Sequence, residues 1–139
     1  MRGKPSVMGL APDSPRSRSK ELRAGPRTAE EARLFLSEAM ASFNVDIDKD
    51  AARLLTSEIA SNAVRHGKEP IDVSVSVEES GLRVSIFDRG GGFDPRDLRF
   101  DQALSLETEG GRGLQLVHAL SSDWGVERSD DGTEVWFRL

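Results

Sequence analysis

The chain has 139 residues, 37% of them hydrophobic, a formal net charge of −5 and no cysteine. That is material for one core rather than two domains, and it excludes disulfides and thiolate metal sites, which suits a reducing compartment. No apolar run approaches the roughly 18 residues of a membrane span, and no apolar stretch follows Arg2 and Lys4 as it does in a signal peptide, so the expectation is a cytoplasmic protein without a membrane partner.

Charge is split along the chain. Residues 1–28 hold seven Lys/Arg against Asp13 and Glu21, a balance of +5, while the remainder holds 12 basic and 22 acidic residues, a balance of −10. With Pro5, Pro12, Pro15 and Pro26 in the basic part, residues 1–26 read as a disordered tail ahead of a domain over 27–139. Leu22 and its neighbours are a candidate edge strand within that tail. The acidic body argues against nucleic acid as a direct ligand.

From Thr28, a candidate cap, Ala32, Phe35, Leu36, Ala39, Met40 and Phe43 recur at helical spacing and predict a helix over 29–43. A turn at 44–46 leads to a second helix over about 48–66, stopped by Gly67 and Pro70. Residues 71–77 alternate Ile71, Val73, Val75 and Val77, and after a hairpin turn Leu82, Val84 and Ile86 resume the alternation to Asp88. A Gly- and charge-rich connection over 89–111 precedes a third helix, about 113–122. Two strands close the chain, 124–128 and 133–139, around an Asp130–Asp131–Gly132 turn. Tight hairpins pair strands antiparallel, and three amphipathic helices cover one face of such a sheet. The predicted fold is a two-layer α+β sandwich.

The second helix carries an anomaly. Glu58 and Asn62 are i,i+4 neighbours, and at about 100° per residue their face also carries Ala51, Leu54, Leu55 and Ile59. An idle carboxylate in an apolar arc is costly, whereas a carboxylate and an amide facing a cleft can grip a metal, a water or a proton. Asp88 ends a strand, where it can accept a hydrogen bond from an exocyclic amine, and Gly90 and Gly92 after it admit a ligand close to the backbone. Gly110, Gly111 and Gly113 sit before the third helix, where free N–H groups suit a phosphate. Gly132–Thr133 opens the last strand. Each piece alone also reads as a turn, a helix entry or a buried polar pair; the specific feature is their order.

That order, Glu58-x3-Asn62, Asp88-x-Gly90-x-Gly92, Gly111-x-Gly113-Leu114 and Gly132-Thr133, resembles the motif boxes of the gyrase and histidine-kinase ATPase superfamily. The runs EIASNAVRHG, DRGGGFD and EGGRGLQLV are closer still to its bacterial anti-sigma factor serine/threonine kinases. The resemblance covers about 27–139. It implies Mg·ATP as cofactor, with Asn62 as the Mg²⁺ ligand, Glu58 as general base, and Asp88 as the adenine-recognising carboxylate beside Gly90 and Gly92. It implies that Thr133 supports the base, that 89–111 is an ATP lid, and that Gly111, Arg112, Gly113 and Leu114 face the phosphates. It further implies phosphorylation of an anti-anti-sigma (STAS-type) partner and sequestration of a sigma factor, with homodimerisation left open. Two alternatives belong to other classes: a nucleotide-regulated binding module without phosphotransfer, and a detached histidine-kinase-like module acting in trans. The sequence has no GxxxxGK[ST] and no protein-kinase HRD or DFG element. His66, at the end of the second helix, is read as a partner of the helix dipole, and His118 has no partner legible in sequence.

Overall fold

A computed structural model describes residues 16–79, 81–90, 117 and 119–139. In chain order these form β1 (Ser17–Leu22), α1 (Thr28–Phe43), α2 (Lys49–His66), β2 (Ile71–Glu78), β3 (Gly81–Asp88), β4 (Asp123–Ser129) and β5 (Gly132–Arg138). The strands make one antiparallel sheet in the order β1-β2-β3-β5-β4. Of the helix expected over 113–122, Val117, Ala119 and Leu120 are helical and Val117 is fully buried.

Strand β1 corrects the tail boundary. Residues 17–22 pair with 71–76 along the edge of the sheet, so the ordered chain starts before Pro26, as the candidate edge strand at Leu22 anticipated. The polar sequence of β1 hid it, because an edge strand needs only one buried anchor, here Leu22 against Ile71. Thr28 also differs from expectation. It is the first residue of α1 rather than its cap, and its hydroxyl ties the helix start to the preceding turn, accepting from Gly25 N at 2.8 Å and donating to Arg23 O at 2.6 Å.

Both helices lie on one face of the sheet. The core joins Leu36, Met40, Leu55 and Ile59 to the inward sides of Ile71, Val73, Val75, Leu82, Val84, Ile86, Val135 and Phe137. Strict alternation produces this, because residues opposite one another in the ladder, such as Val84 and Phe137, share a face. α1 ends with Asn44 in the left-handed region, its N–H bonded to Met40 O. α2 is capped by Asp48, whose side chain accepts from Ala51 N at 3.0 Å.

The opposite face is built from arginine and aromatic groups. The guanidinium groups of Arg83 and Arg138 both lie over the Trp136 ring, 4.8 and 4.9 Å from its centroid. Arg89 covers Phe87 at 4.9 Å and reaches Asp72, with Nη1 2.8 Å from Oδ2. The Asp72 contact is an attraction of charges rather than a well-aimed hydrogen bond, since neither carboxylate oxygen nor Arg89 Nη1 has a hydrogen-bond partner of good geometry. Burial pushes the Asp72 carboxyl above its usual range, and Arg89 pulls part of that back.

Arg89→Met leaves a buried, uncompensated carboxylate, and we expect it to cost about 2–3 kcal/mol in urea unfolding at neutral pH. The raised pKa sets the sign of the pH dependence. The penalty is present where Asp72 is ionised and shrinks as pH falls through its raised pKa toward about pH 4. A loss that did not change with pH would disprove the ion-pair account.

Candidate functional site

The site is organised by α2 and by what meets its C-terminal end. The buried side of α2 runs through Ala52, Leu55, Thr56, Ile59, Ala60 and Ala63, centred near Ala52 and Ile59. Glu58 lies about 100° from that centre. The expected arc through Ala51, Leu54, Leu55 and Ile59 is therefore displaced: Leu54 is 41% exposed, Ala51 and Glu58 are half-buried, and only Asn62 of the polar pair is buried, at 4% exposed. Periodicity locates a face but not its midpoint. Glu58 stands at the rim and Asn62 inside it.

Asn62 is engaged from its own helix, with Arg65 Nη2 donating to its Oδ1 at 2.7 Å. Five residues on, roughly 7.5 Å along the axis, α2 stops at Gly67, whose N–H bonds to Ala63 O at 2.8 Å. Gly67 is extended (φ −112°, ψ −161°), so its being glycine is not a matter of backbone strain. A side chain there would run into the Asp88 carboxyl group. The aspartate lies directly against the bare backbone after the helix.

The segment after α2 and the end of β3 are joined by backbone as well. Arg89 N donates to Lys68 O at 3.0 Å. A Cβ added to Gly90 would stand 3.1 Å from the Gly67 Cα and the Lys68 nitrogen, so these two stretches pass each other almost without side chains. From the other side comes β5, where Thr133 is the ladder partner of Asp88 and its hydroxyl points to Gly90 O at a long 3.5 Å. Gly132, with φ +153°, puts its backbone against the Asp88 carbonyl where no Cβ fits.

Asp88 is 5% exposed, and burial raises its pKa above the usual carboxylate value. Backbone N–H groups of Gly90 and Lys68 oppose that shift, followed by the charges of Arg89 and His66. The Gly90 bond to Oδ1 is 2.8 Å. The result is a fixed carboxylate, oriented by main chain and walled by glycine. Such a group can read a donor on a flat ligand while adjacent backbone approaches closely.

Of the residues expected from sequence, Asp88, Gly90 and Thr133 converge, and Asn62 and Glu58 follow on the helix that leads to them. Gly92, Gly111, Arg112, Gly113 and Leu114, with most of the expected lid, lie outside the described residues. Gly67 and Arg65 were not anticipated as site residues. Gly67 carried a signal, a glycine after a long helix, but one that reads equally as a stop. His66 contributes charge toward Asp88 as well as standing in the last turn of α2. No described helix is long and apolar enough to cross a membrane.

Comparison with known proteins agrees with this fold. Residues 22–139 match the model of the histidine kinase-like ATPase domain, and the chain belongs to that family. A protein of Mycobacterium tuberculosis named sensor histidine kinase component HK1 is 30% identical over 107 residues, 68% of this chain and 64% of that protein. The chain thus spans just under two thirds of that relative's length. Among solved structures, the RsbU and RsbW domains of Rv1364c from the same organism superpose with a TM-score of 0.64 at 24% identity, covering 94% of this chain and 33% of that one. The histidine kinase AdeS of Acinetobacter baumannii gives 0.55 at 13% identity, covering 86% and 66%. These two likenesses concern the fold.

Gly67→Ala tests the clasp around Asp88. The added methyl must displace the carboxyl group, so we expect adenine-nucleotide affinity to fall about tenfold or more in a calorimetric titration, with an overpacking cost of about 1–3 kcal/mol. Unchanged affinity would mean that Asp88 does not face the ligand.

Proposed function

We propose that the chain is an ATP-dependent serine/threonine protein kinase of the anti-sigma type, acting in the cytoplasm on a STAS-type anti-anti-sigma partner and holding a sigma factor in the alternate state. The observation that carries the nucleotide part is the convergence on Asp88: a buried carboxylate at a strand end, held by main-chain N–H groups and bordered by Gly67, Gly90, Gly132 and Thr133. The order of the motifs supports the anti-sigma part, as does the likeness in fold to a structure containing an RsbW domain.

In this reading the ionised Asp88 accepts a hydrogen bond from the exocyclic amine of adenine, and Thr133 borders the base. Asn62 fits a hard cation. Its oxygen is buried and already accepts from a positively charged group at 2.7 Å, and amide oxygen is an ordinary donor to Mg²⁺. Among the described residues no group of three or more His, Asp or Glu is placed to cage a metal, and Asn62 is the residue that would hold the ion. Bound Mg²⁺ supplies neutralisation of the phosphate charge. Glu58, at the rim, accepts the proton of a serine hydroxyl. The serine oxygen–phosphorus bond forms as the bond from the γ-phosphorus to the bridging oxygen breaks, leaving ADP. The motif resemblance assigns Gly111, Arg112, Gly113 and Leu114 to the phosphates and Gly92 to the base.

Calorimetry with ATP, with and without Mg²⁺, tests binding, and phosphate on a STAS-type protein tests transfer. Glu58→Gln should abolish transfer with ATP affinity within about twofold of wild type. Asn62→Ala should lose the Mg²⁺-dependent part of binding. The raised pKa of Asp88 makes affinity fall on acidification earlier than an ordinary exposed aspartate would allow, because protonation removes the negative charge and leaves a weaker acceptor. Phosphotransfer by Glu58→Gln at the wild-type rate refutes the base assignment. A second reading has its own support in the name of the relative, a sensor histidine kinase component: an ATPase module that phosphorylates a histidine on a separate protein. Acid-labile rather than acid-stable phosphate on the acceptor distinguishes it.

A further inference from the structure

The oxygen assigned to the metal is already in use. Arg65 is exposed at its own position in the last turn of α2, yet its guanidinium turns back along the helix to Asn62 Oδ1 at 2.7 Å. Residues three apart share a face, and helical side chains lean toward the N-terminus, which brings this pair within reach. The Arg65 guanidinium carries a positive charge. The buried amide oxygen therefore already accepts from a cationic group.

A divalent ion on the same oxygen would stand about 4 Å from the guanidinium, judged from ordinary hydrogen-bond and Mg²⁺–oxygen lengths. At that separation even bulk water leaves the repulsion of a doubly and a singly charged cation above thermal energy. Two lone pairs on the oxygen do not make the two occupants compatible. The helix dipole accounts for a basic residue in the last turn, but not for its head group lying on a buried amide one turn back.

We propose that Arg65 is a built-in competitor of the metal: it holds Asn62 Oδ1 when no cation is bound and must release it before a divalent ion can take that oxygen. This rests on Asn62 being the metal ligand of the proposed function. Arg65 thereby sets the metal concentration at which nucleotide binding switches to its Mg²⁺-dependent form. It is a positioning residue, acting through Asn62. The expected effect is modest because Arg65 is exposed, at the low end for a hydrogen bond to a charged group.

The test is calorimetry of ADP binding to the full chain across a MgCl2 series, for wild type, Arg65→Met and Arg65→Lys, with thermal melts confirming that each variant folds. We expect Arg65→Met to reach half-maximal Mg²⁺-dependent binding at about fivefold lower Mg²⁺, with Arg65→Lys between it and wild type. A midpoint at or above that of wild type overturns the proposal while leaving the nucleotide site intact, and points to Arg65 as a phosphate ligand instead. Equal ADP affinity with and without Mg²⁺ in wild type removes Asn62 as a metal ligand, and the competition with it. Absence of any ADP binding by wild type overturns both this and the proposed function.

Discussion

The site depends on one contact, the Asp88 carboxylate resting on the backbone of Gly67. Taking a carboxylate from water is expensive, and here the cost is offset by two main-chain N–H groups and by nearby positive charge rather than by a dedicated salt bridge. That arrangement leaves the acidic group directed by rigid elements. Because the contact needs a residue without a side chain on one partner, it fixes how closely the end of α2 approaches the end of β3. Everything else in the site follows from that approach. Asn62 and Glu58 are carried to their places by the helix, and Thr133 by its rung in the ladder opposite Asp88.

Much of this was legible in the sequence because the sheet's alternation and the periodicity of α1 are simple. Val73, Val75, Val84 and Ile86 could face only one way, and the hairpins fixed antiparallel pairing. Asp88 with Gly90 was legible too, as an acid at a strand end followed by glycine. The position of Glu58 was not, since a helical wheel gives the direction of a stripe but leaves its centre open by a residue or two. Gly67 reads in sequence only as a stop because the second half of its contact, the carboxyl of Asp88, is 21 positions away. Strand β1 was nearly hidden for a related reason: its partner supplies the apolar face and it contributes little but backbone.

The two faces of the sheet divide the labour. The helix-covered face is aliphatic and gives the core its volume. On the other, arginines lie over Phe87 and Trp136 and are tied to Asp72, Glu78, Asp123 and Glu134. Guanidinium stems and planes cover apolar rings while their charges stay near water or acids. Arg89 belongs to this layer, yet follows Asp88 directly in the chain, so the residue after the buried carboxylate is anchored on the sheet's opposite face.

The strand order has a kinetic side. β2–β3 and β4–β5 are hairpins that close over a few residues, whereas β3–β5 joins segments separated by the whole 89–131 stretch. Local pairs form early and distant ones late, because the entropy of closing a long loop comes before the contacts that offset it. Asp88 and Thr133 sit on that late seam. The pairing of Asp88 with Thr133 therefore does not exist in a half-folded chain whose two hairpins are formed but not yet joined. A nucleotide that binds only the joined form acts as a clamp on the last step of assembly and slows its reversal.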